Sequence, residues 1–177
     1  MTTQTAFDAY ASEYDHWFDE KEPIYQAEIA AMKRFIPTAG SGIEIGVGTG
    51  RFASQFGIKI GIDPSRNMLN MARQRGLAVC QGAGEFLPFR DAQFDFALLV
   101  TVVCFVENLA PFFLEVRRVI KADGMIIVGF IDKNSDLGKL YESRKATDKF
   151  YKEAHFYSVG EITDFLRQTG FVDFQYN

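Results

Sequence analysis

Short apolar runs alternate along the chain with segments whose apolar residues recur at helical spacing. The runs that we interpret as strands are GIEIG (42–46), IKIGID (58–63), LAVCQG (77–82), FDFALLVTVVCF (94–105) and MIIVGFI (125–131). Between them, Met68, Met71 and Ala72 share one face of a predicted helix, and a similar stripe occupies 110–124. This alternation predicts a doubly wound, mostly parallel α/β sheet with helices on both faces. The fifth run is apolar throughout, as expected of a strand buried on both sides.

Helix boundaries are marked by residues that cap or break helices. Ser65 and Ser158 stand where an N-cap hydroxyl would accept a first-turn amide, and Gly76 and Gly170 stand where the same helices would end. The last helix is followed by FVDFQYN (171–177), which we expect to begin a sixth strand.

We expect the 177 residues to form a single domain. Its first part, 1–37, is predicted to be a helical cap that includes an amphipathic helix opened by Pro23. The second part, 38–177, is predicted to be the α/β core.

Composition argues against several classes of binding partner. The chain is 47% hydrophobic and 24% charged, with a net charge of −4 and no basic face that would indicate nucleic-acid binding. Two cysteines do not make a disulfide framework, and two histidines argue against a metal site. No apolar run approaches a membrane span or resembles a signal peptide. We therefore expect a cytoplasmic protein that acts on a small molecule, without nucleic acid, membrane or metal.

The first apolar run ends in a glycine-rich loop that an acid precedes. Tight turns alone explain one or two glycines, but Gly46, Gly48 and Gly50 behind Glu44 favour a ligand. The G-x-G-x-G spacing differs from a dinucleotide fingerprint, and Arg51 replaces the Lys-Ser or Lys-Thr of a phosphate loop. A carboxylate would also repel a diphosphate. The loop thus favours a ligand with a cationic end, such as S-adenosyl-L-methionine.

The motif EIGVGTG (44–50) resembles motif I of class I S-adenosylmethionine-dependent methyltransferases. Further blocks resemble the small-molecule, ubiquinone-biosynthesis-like group of methyltransferase type 11, and they follow in the family's order. These blocks are FDAYASEYDHWF (7–18), GIDPSRNML (61–69), GAGEFLPFRDAQFDFALLV (82–100) and EVRRVIKADGMIIVGF (115–130). The resemblance implies a Rossmann-like fold and an enzyme that converts S-adenosyl-L-methionine into S-adenosyl-L-homocysteine.

The resemblance also implies roles for residues near the cofactor's amino-acid and ribose parts. Gly46 and Gly48, with Gly50 behind them, would let the backbone approach the methionyl group, and Glu44 would orient its ammonium. Asp63 would accept hydrogen bonds from both ribose hydroxyls, although an acid at a helix N-terminus has a simpler explanation in the helix dipole.

On the adenine side, Pro64 and Met68 would pack against the base. Where the family often has an acid that binds the adenine amino group, this chain has Ala83, so Gly84 and Glu85 would hold the base by backbone and apolar contacts.

Two further residues would contact the cofactor's methionyl end. Thr101 matches a residue near that group, although a β-branched residue at a strand end is equally well explained by packing. Tyr14 is the cap residue that we expect to touch the cofactor. Cap aromatics that only pack on the sheet are an equally weighted alternative, and Tyr10 and His16 share this ambiguity.

The methyl acceptor is less well defined. The stretch TVVCFVEN (101–108) lacks the Asn/Asp-Pro-Pro-Tyr/Phe motif of amino-methyltransferases that act on adenine or glutamine amides. A small metabolite is the remaining acceptor, and the methylated atom stays open. His155 and Tyr157 lie where substrate-side loops often lie, but no catalytic base is identified. A non-catalytic cofactor-binding module is the main alternative, and an NAD(P)-dependent reductase is a weaker one.

The end of the sequence departs from the family. Class I methyltransferase sheets finish with a sixth strand and an antiparallel seventh, and here nothing follows 171–177. Two explanations are open: the sequence is truncated, or the sheet edge is completed in another way, for example by a partner. An unpaired edge invites association, and a homodimer through this edge is one form of the second explanation.

Overall fold

The computed structural model describes the backbone of residues 3–177 and the side chains of residues 6–177. The strands are β1 (Gly42–Ile45), β2 (Ile60–Asp63), β3 (Ala78–Gln81), β4 (Phe94–Val100) and β5 (Ile120–Gly129). The helices are α1 (Thr3–Ala9), α2 (Ala11–Glu20), α3 (Glu22–Lys33), α4 (Arg51–Gln55), α5 (Arg66–Gln74), α6 (Leu109–Val119), α7 (Asp136–Arg144) and α8 (Val159–Gln168).

Within the described residues the strands form one five-stranded parallel sheet in the order β3-β2-β1-β4-β5. The order reverses between β1 and β4, and the carboxyl ends of these strands are where such sheets bind ligands. Glu44 lies in the centre of this sheet, paired in register with Gly61 on one side and Leu98 on the other. The predicted doubly wound, Rossmann-like fold is confirmed.

The helix caps behave as the sequence predicts. Ser65 accepts a hydrogen bond from the Met68 amide at 3.2 Å, and Ser158 forms a reciprocal capping box with Glu161. Gly76 follows α5 with a φ of +82°, and Gly170 follows α8 in the same left-handed region.

Three strand predictions are wrong. β4 ends at Val100, because Thr101 has a φ of +54° and the chain then forms a short 3₁₀ turn at Val103–Phe105. Residues 171–177 form no strand, since Phe171 turns inward against α8 and Asp173 has a φ of +58°. β5 is an edge strand within the described residues, so Met125 is 45% exposed rather than buried.

Two hydrophobic layers cover the sheet. One packs α6 and α8 on one face, with Phe94, Phe113 and Leu166 among its buried residues. The other packs the N-terminal helices and α4 and α5 on the opposite face, with Tyr25 and Leu69 buried. The cap therefore lies on the same layer as the helix that follows the glycine loop.

Candidate functional site

The glycine loop between β1 and α4 is held against β2 by backbone hydrogen bonds. The amides of Gly46 and Val47 donate to the Ile62 carbonyl at 2.9 and 3.0 Å. Gly46 has a φ of +73°, and a Cβ there would lie 2.6 Å from Cγ2 of Val102. Gly48 has a φ of +51°, but no heavy atom lies within 4 Å of its hypothetical Cβ. The loop is thus packed against the protein at Gly46 and open at Gly48, where a ligand could approach the backbone.

Glu44 is a buried acid, and one of its carboxyl oxygens, Oε2, has no hydrogen-bond partner among the described residues. Its side chain is 1% exposed. Burial raises the pKa of this carboxyl well above its usual range; the Ala53 backbone opposes the rise and the Asp63 charge adds to it. A buried acceptor without a partner costs free energy that a donor can recover. Glu44 therefore fits the ammonium end of S-adenosylmethionine, which would supply both a positive charge and donors.

Asp63 organises the loop from the end of β2. Its Oδ2 accepts from the Gly48 amide at 2.9 Å, and its Oδ1 accepts from the Ser65 amide at 2.8 Å. Burial raises its pKa to about 6, although these two amides oppose the rise. Each oxygen keeps a second lone pair, so the carboxylate can hold the loop and still accept from two adjacent hydroxyls.

The predicted adenine side consists of apolar and backbone groups. Met68 is fully buried on α5, and the carbonyl of the half-buried Pro64 accepts from Gln81 Nε2 at 2.9 Å. A Cβ on Gly84 would overlap the Phe112 ring, so packing alone requires a glycine there. Glu85 is half-buried beside it.

Gly50 also has a packing explanation. Its hypothetical Cβ would lie 3.2 Å from Cβ of Ala72, which brings the start of α4 close to α5.

The end of β4 carries local backbone strain. Thr101 is β-branched yet adopts the left-handed conformation, which costs free energy and persists where surrounding structure enforces it. Its amide donates to the Gly129 carbonyl at 2.7 Å, and its carbonyl accepts from the Cys104 thiol at 3.5 Å. The next residue, Val102, is the one that faces Gly46. The strained residue thus lies beside the glycine loop, where the sequence predicts the methionyl group.

Tyr14 joins the cap to this site. Its ring packs edge-on against Phe7 and Phe18 at 5.3 Å between centroids, and against Phe150 at 5.5 Å. The pKa of its hydroxyl is raised, first by burial and then by the negative charges of Glu28, Asp63 and Glu44. Tyr14 is therefore close enough to both cofactor-side acids for their charges to act on it.

The other aromatic and histidine candidates lie at the surface. Tyr10 is exposed, with Lys149 Nζ 4.3 Å from its ring centroid. His16 is exposed and its Nε2 lies 3.5 Å from Oε1 of Glu20. His155 is also exposed and packs on the half-buried ring of Tyr157 at 4.5 Å. The structure does not bring them to the glycine loop.

Sequence reasoning missed an ion-pair cluster, which we name the cap latch: Asp15, Arg51 and Arg75. Asp15 on α2 is 7% exposed and accepts from Nε and Nη2 of Arg51 at 3.0 and 2.8 Å. Arg75 Nη2 donates to the same carboxylate at 2.8 Å, and its Nη1 donates to the Thr49 carbonyl within the glycine loop at 2.9 Å. The one signal in the sequence is Arg51, which directly follows the last glycine of the loop.

A second contact fixes the start of the cap. Asp8 on α1 accepts from the Ser65 hydroxyl at 2.8 Å and from the Asn67 amide at 3.0 Å. The cap therefore contacts the starts of α4 and α5, the helices that follow β1 and β2.

A large surface cleft lies elsewhere, between α7 and α8. It has a volume of about 660 Å³ and is lined by Lys133, Lys145, His155 and other residues. Lys133 and Lys145 are already paired, with Glu161 at 2.6 Å and Glu142 at 3.3 Å. Its basic groups are thus compensated, and the perturbed acids and strained backbone point to the glycine loop instead.

Two further properties concern only the part of the chain that the structure describes. No group of three or more His, Cys, Asp or Glu residues there could hold a metal ion. None of its helices is long and apolar enough to cross a membrane.

Similarities to known proteins agree with the geometry. A family model described as a methyltransferase domain matches residues 43–128. A crystal structure of an S-adenosylmethionine-dependent methyltransferase from Thermotoga maritima, described as a possible histamine N-methyltransferase, is 44% identical with a TM-score of 0.93. The match covers 96% of this chain and 81% of that one.

Two sequence relatives complete the picture. An uncharacterised protein of Methanocaldococcus jannaschii is 53% identical over 93% of this chain and 80% of its own length. The demethylmenaquinone methyltransferase of Tropheryma whipplei is 30% identical over 80% of this chain and 71% of its own length. The chain therefore belongs to the class I S-adenosylmethionine-dependent methyltransferases of the type 11 group. It is an enzyme whose cofactor is S-adenosyl-L-methionine, and the reductase alternative is not supported.

Proposed function

We propose that this methyltransferase transfers the methyl group of S-adenosylmethionine to a small-molecule acceptor. The observation that carries the proposal is the latched cap. Asp8 ties α1 to the start of α5, and Asp15 ties α2 to Arg51 and Arg75 beside the glycine loop. The negative charges of Glu44 and Asp63 help raise the pKa of Tyr14 on α2. A polymeric acceptor would need an open approach to this region, whereas a small molecule can be enclosed and shielded from water.

We assign the cofactor contacts as follows. Glu44 orients the ammonium, Asp63 accepts from the ribose hydroxyls, and the backbone at Gly46 and Gly48 approaches the methionyl part. The open space at Gly48 and the unpartnered Oε2 of Glu44 support this arrangement.

The remaining assignments concern residues around these contacts. Thr101 and Tyr14 flank the methionyl end, while Gly50 shapes the turn through its packing on α5. The adenine is held by Pro64, Met68, Gly84 and Glu85.

The names of two relatives support a small acceptor. One is described as a possible histamine N-methyltransferase and the other as a demethylmenaquinone methyltransferase. Both descriptions concern small molecules, although of different chemistry, so the class of acceptor has to come from the site itself.

The test begins with calorimetric titration of the protein with S-adenosylmethionine, S-adenosylhomocysteine and NADH. We expect both sulfur compounds to bind and NADH not to bind. Methyl transfer from labelled cofactor is then measured on a metabolite panel, on total tRNA and on a protein extract. Labelling of the polymers but of no metabolite would contradict the proposal, as would binding of NADH alone.

Association of two copies through the free edge of β5 remains a separate prediction. Sedimentation velocity at assay concentration tests it, and a monomer at that concentration contradicts it.

A further inference from the structure

One acid of the cap is not used by the cofactor assignments. Glu28 lies on the face of α3 that it shares with Tyr25 and Met32, three residues before it and four after it. The Tyr25 hydroxyl donates to the Arg51 carbonyl at 2.9 Å, just behind the glycine loop. Met32 Sδ lies 3.1 Å from where a Cβ on Gly129 would be, at the end of β5. Glu28 therefore lies between the glycine loop and the end of β5.

Thr101 connects this position to the cofactor side. Its amide bonds to the Gly129 carbonyl, so the strained end of β4 and the end of β5 are adjacent. Glu28 is thus on the part of α3 that passes the predicted methionyl end of the cofactor.

The negative charge of Glu28 helps raise the pKa of three tyrosines from different parts of the chain. Tyr14 comes from α2, Tyr141 from α7, and Tyr151 from the segment that precedes α8. The rings of Tyr141 and Tyr151 pack edge-on at 4.8 Å, and Phe105 continues the wall 5.5 Å from Tyr151. The ring of Phe7 joins this wall to Tyr14, with centroids 5.1 Å from Phe105 and 5.3 Å from Tyr14. Because α2, which carries Tyr14, packs on α3, the half-buried Glu28 and the aromatic wall lie in one region.

The charges of this region do not balance. Glu44 and Asp63 have assigned partners in the cofactor, but the described residues provide no ion pair or hydrogen bond to the Glu28 carboxylate. Burial alone raises its pKa to about 7. A half-buried carboxylate without a partner is costly, and a cation bound beside it would recover that cost.

We propose that Glu28, Tyr14, Tyr141 and Tyr151 form the acceptor subsite, and that the acceptor is an amine that binds as its ammonium ion. This inference rests on the proposed function. The carboxylate pairs with the positive charge, and the tyrosine rings attract it through their faces. An acceptor that reacts as a phenolate or carboxylate would be repelled by Glu28.

The chemistry balances without another reactant. The ammonium gives one proton to the Glu28 carboxylate, which frees the nitrogen lone pair. A nitrogen–carbon bond forms to the methyl group as the carbon–sulfur bond of the cofactor breaks, and its electron pair stays on sulfur. The products are the methylated ammonium ion and S-adenosylhomocysteine, and the proton leaves Glu28 for water.

The test uses calorimetry on protein saturated with S-adenosylhomocysteine. The probes are two matched pairs, benzylamine with benzyl alcohol and phenethylamine with phenethyl alcohol. The variant is Glu28→Gln, with Glu22→Gln at the exposed start of α3 as the control. We expect the amines to bind more tightly than the alcohols, and Glu28→Gln to weaken amine binding about tenfold or more. Glu22→Gln and the alcohols should show no such change, and Glu28→Asp should retain part of the amine affinity.

A pH series gives a second readout. Amine binding to the wild type should weaken as the pH falls from 8 to 6, because Glu28 becomes protonated, and the dependence should be smaller in Glu28→Gln. The groups that face Glu28 from neighbouring elements, Tyr14, Tyr141 and Tyr151, have raised pKa values and stay neutral in this range.

Each failure has a distinct meaning. Equal binding of amines and alcohols, no binding of either amine, or unchanged amine affinity in Glu28→Gln would overturn the amine subsite. A loss of S-adenosylhomocysteine affinity in Glu28→Gln would overturn it too, since Glu28 would then serve the cofactor. Failure of the wild type to bind S-adenosylhomocysteine would instead overturn the proposed function.

Discussion

The cofactor side and the acceptor side of this site are built in different ways. Most of the proposed cofactor side lies in two short stretches, 44–50 and 63–68, and hydrogen bonds from the loop's backbone amides to the Ile62 carbonyl and the Asp63 carboxylate hold its loop. The proposed acceptor side gathers single residues from α2, α3, α7 and the segment before α8, and ring packing joins Tyr141 to Tyr151. A loop fixed by its backbone tolerates few changes, whereas a wall of separate side chains can be altered one residue at a time. We infer that the first side is constrained by one cofactor and the second is free to change with the acceptor.

The largest expected effect comes from breaking the cap latch, which joins the two sides. Asp15→Ala leaves Arg75 without a carboxylate partner, while Arg51 keeps its pair with Asp19, and loss of one partner from a buried ion pair costs about 3 kcal/mol. We expect the free energy of unfolding in urea to fall by this amount. The exposed Asp164→Ala, which removes a surface pair with Arg167, should change it little. Equal losses in both variants would show that the latch has no special role.

The next effect concerns the cofactor side alone. Asp63→Ala removes the acceptor of the Gly48 amide and the proposed acceptor of the ribose hydroxyls, so S-adenosylhomocysteine should bind about 10 to 100 times more weakly in calorimetry. Asp123→Ala, at an exposed position of β5, serves as the control. Unchanged affinity in Asp63→Ala would mean that the ribose assignment is wrong.

Gly84 tests whether a residue assigned to the cofactor side is there for packing. The Cβ of Gly84→Ala would overlap the Phe112 ring, so the free energy of unfolding should fall by about 2 kcal/mol. Gly160→Ala in α8 has room for its Cβ and should not destabilise the protein. If Gly84→Ala is stable but binds S-adenosylhomocysteine weakly, the packing explanation fails.

The last effect is a gradual pH dependence of stability in the cofactor-free protein. The pKa values of Asp63 and Glu28 are raised by burial to about 6 and about 7, so the folded state holds protons that the unfolded state has already lost. Stability from these groups is therefore present at low pH and lost as the pH rises through these pKa values. Asp15 does not contribute in this window, because burial is outweighed by its arginine partners and its pKa is lowered to about 2.

We expect the free energy of unfolding to fall between pH 5 and pH 7.5, by about 1.4 kcal/mol for each pKa unit through which the buried Asp63 titrates, and by less per unit for half-buried Glu28, whose charge water partly screens. The slope should be smaller in Glu28→Gln and in Asp63→Asn. A stability that rises over this interval would contradict the burial of the two carboxyl groups.

The sequence predicts the cofactor side better than the acceptor side, and the reason is physical. Short apolar strands, the glycine loop and the serine caps act within a few residues of one another, so their pattern is visible in the sequence. Residues 171–177 were predicted as a strand because they alternate, but the inward turn of Phe171 depends on its packing against α8. The early end of β4 likewise depends on the conformation of Thr101, which a β-branched residue in an apolar run does not indicate.

The acceptor side could not be predicted, because its residues are far apart in the sequence. Tyr14 and Tyr151 are brought near each other by the fold, and Glu28 sits in an amphipathic helix where a charged residue is ordinarily solvated. The ion pairs of Asp15 could not be predicted for the same reason, since its arginine partners follow it by 36 and 60 positions. Only Arg51, adjacent to the glycines, gave a local signal.

The cap latch has a consequence for the order of events during turnover. α2 and α3 cover the glycine loop and also provide Tyr14 and Glu28, so the acceptor subsite is complete only while the cap is closed. We expect the cofactor to enter before that closure and to leave only after the cap opens again. The enzyme should therefore follow a compulsory sequence, in which S-adenosylmethionine arrives first and S-adenosylhomocysteine departs last.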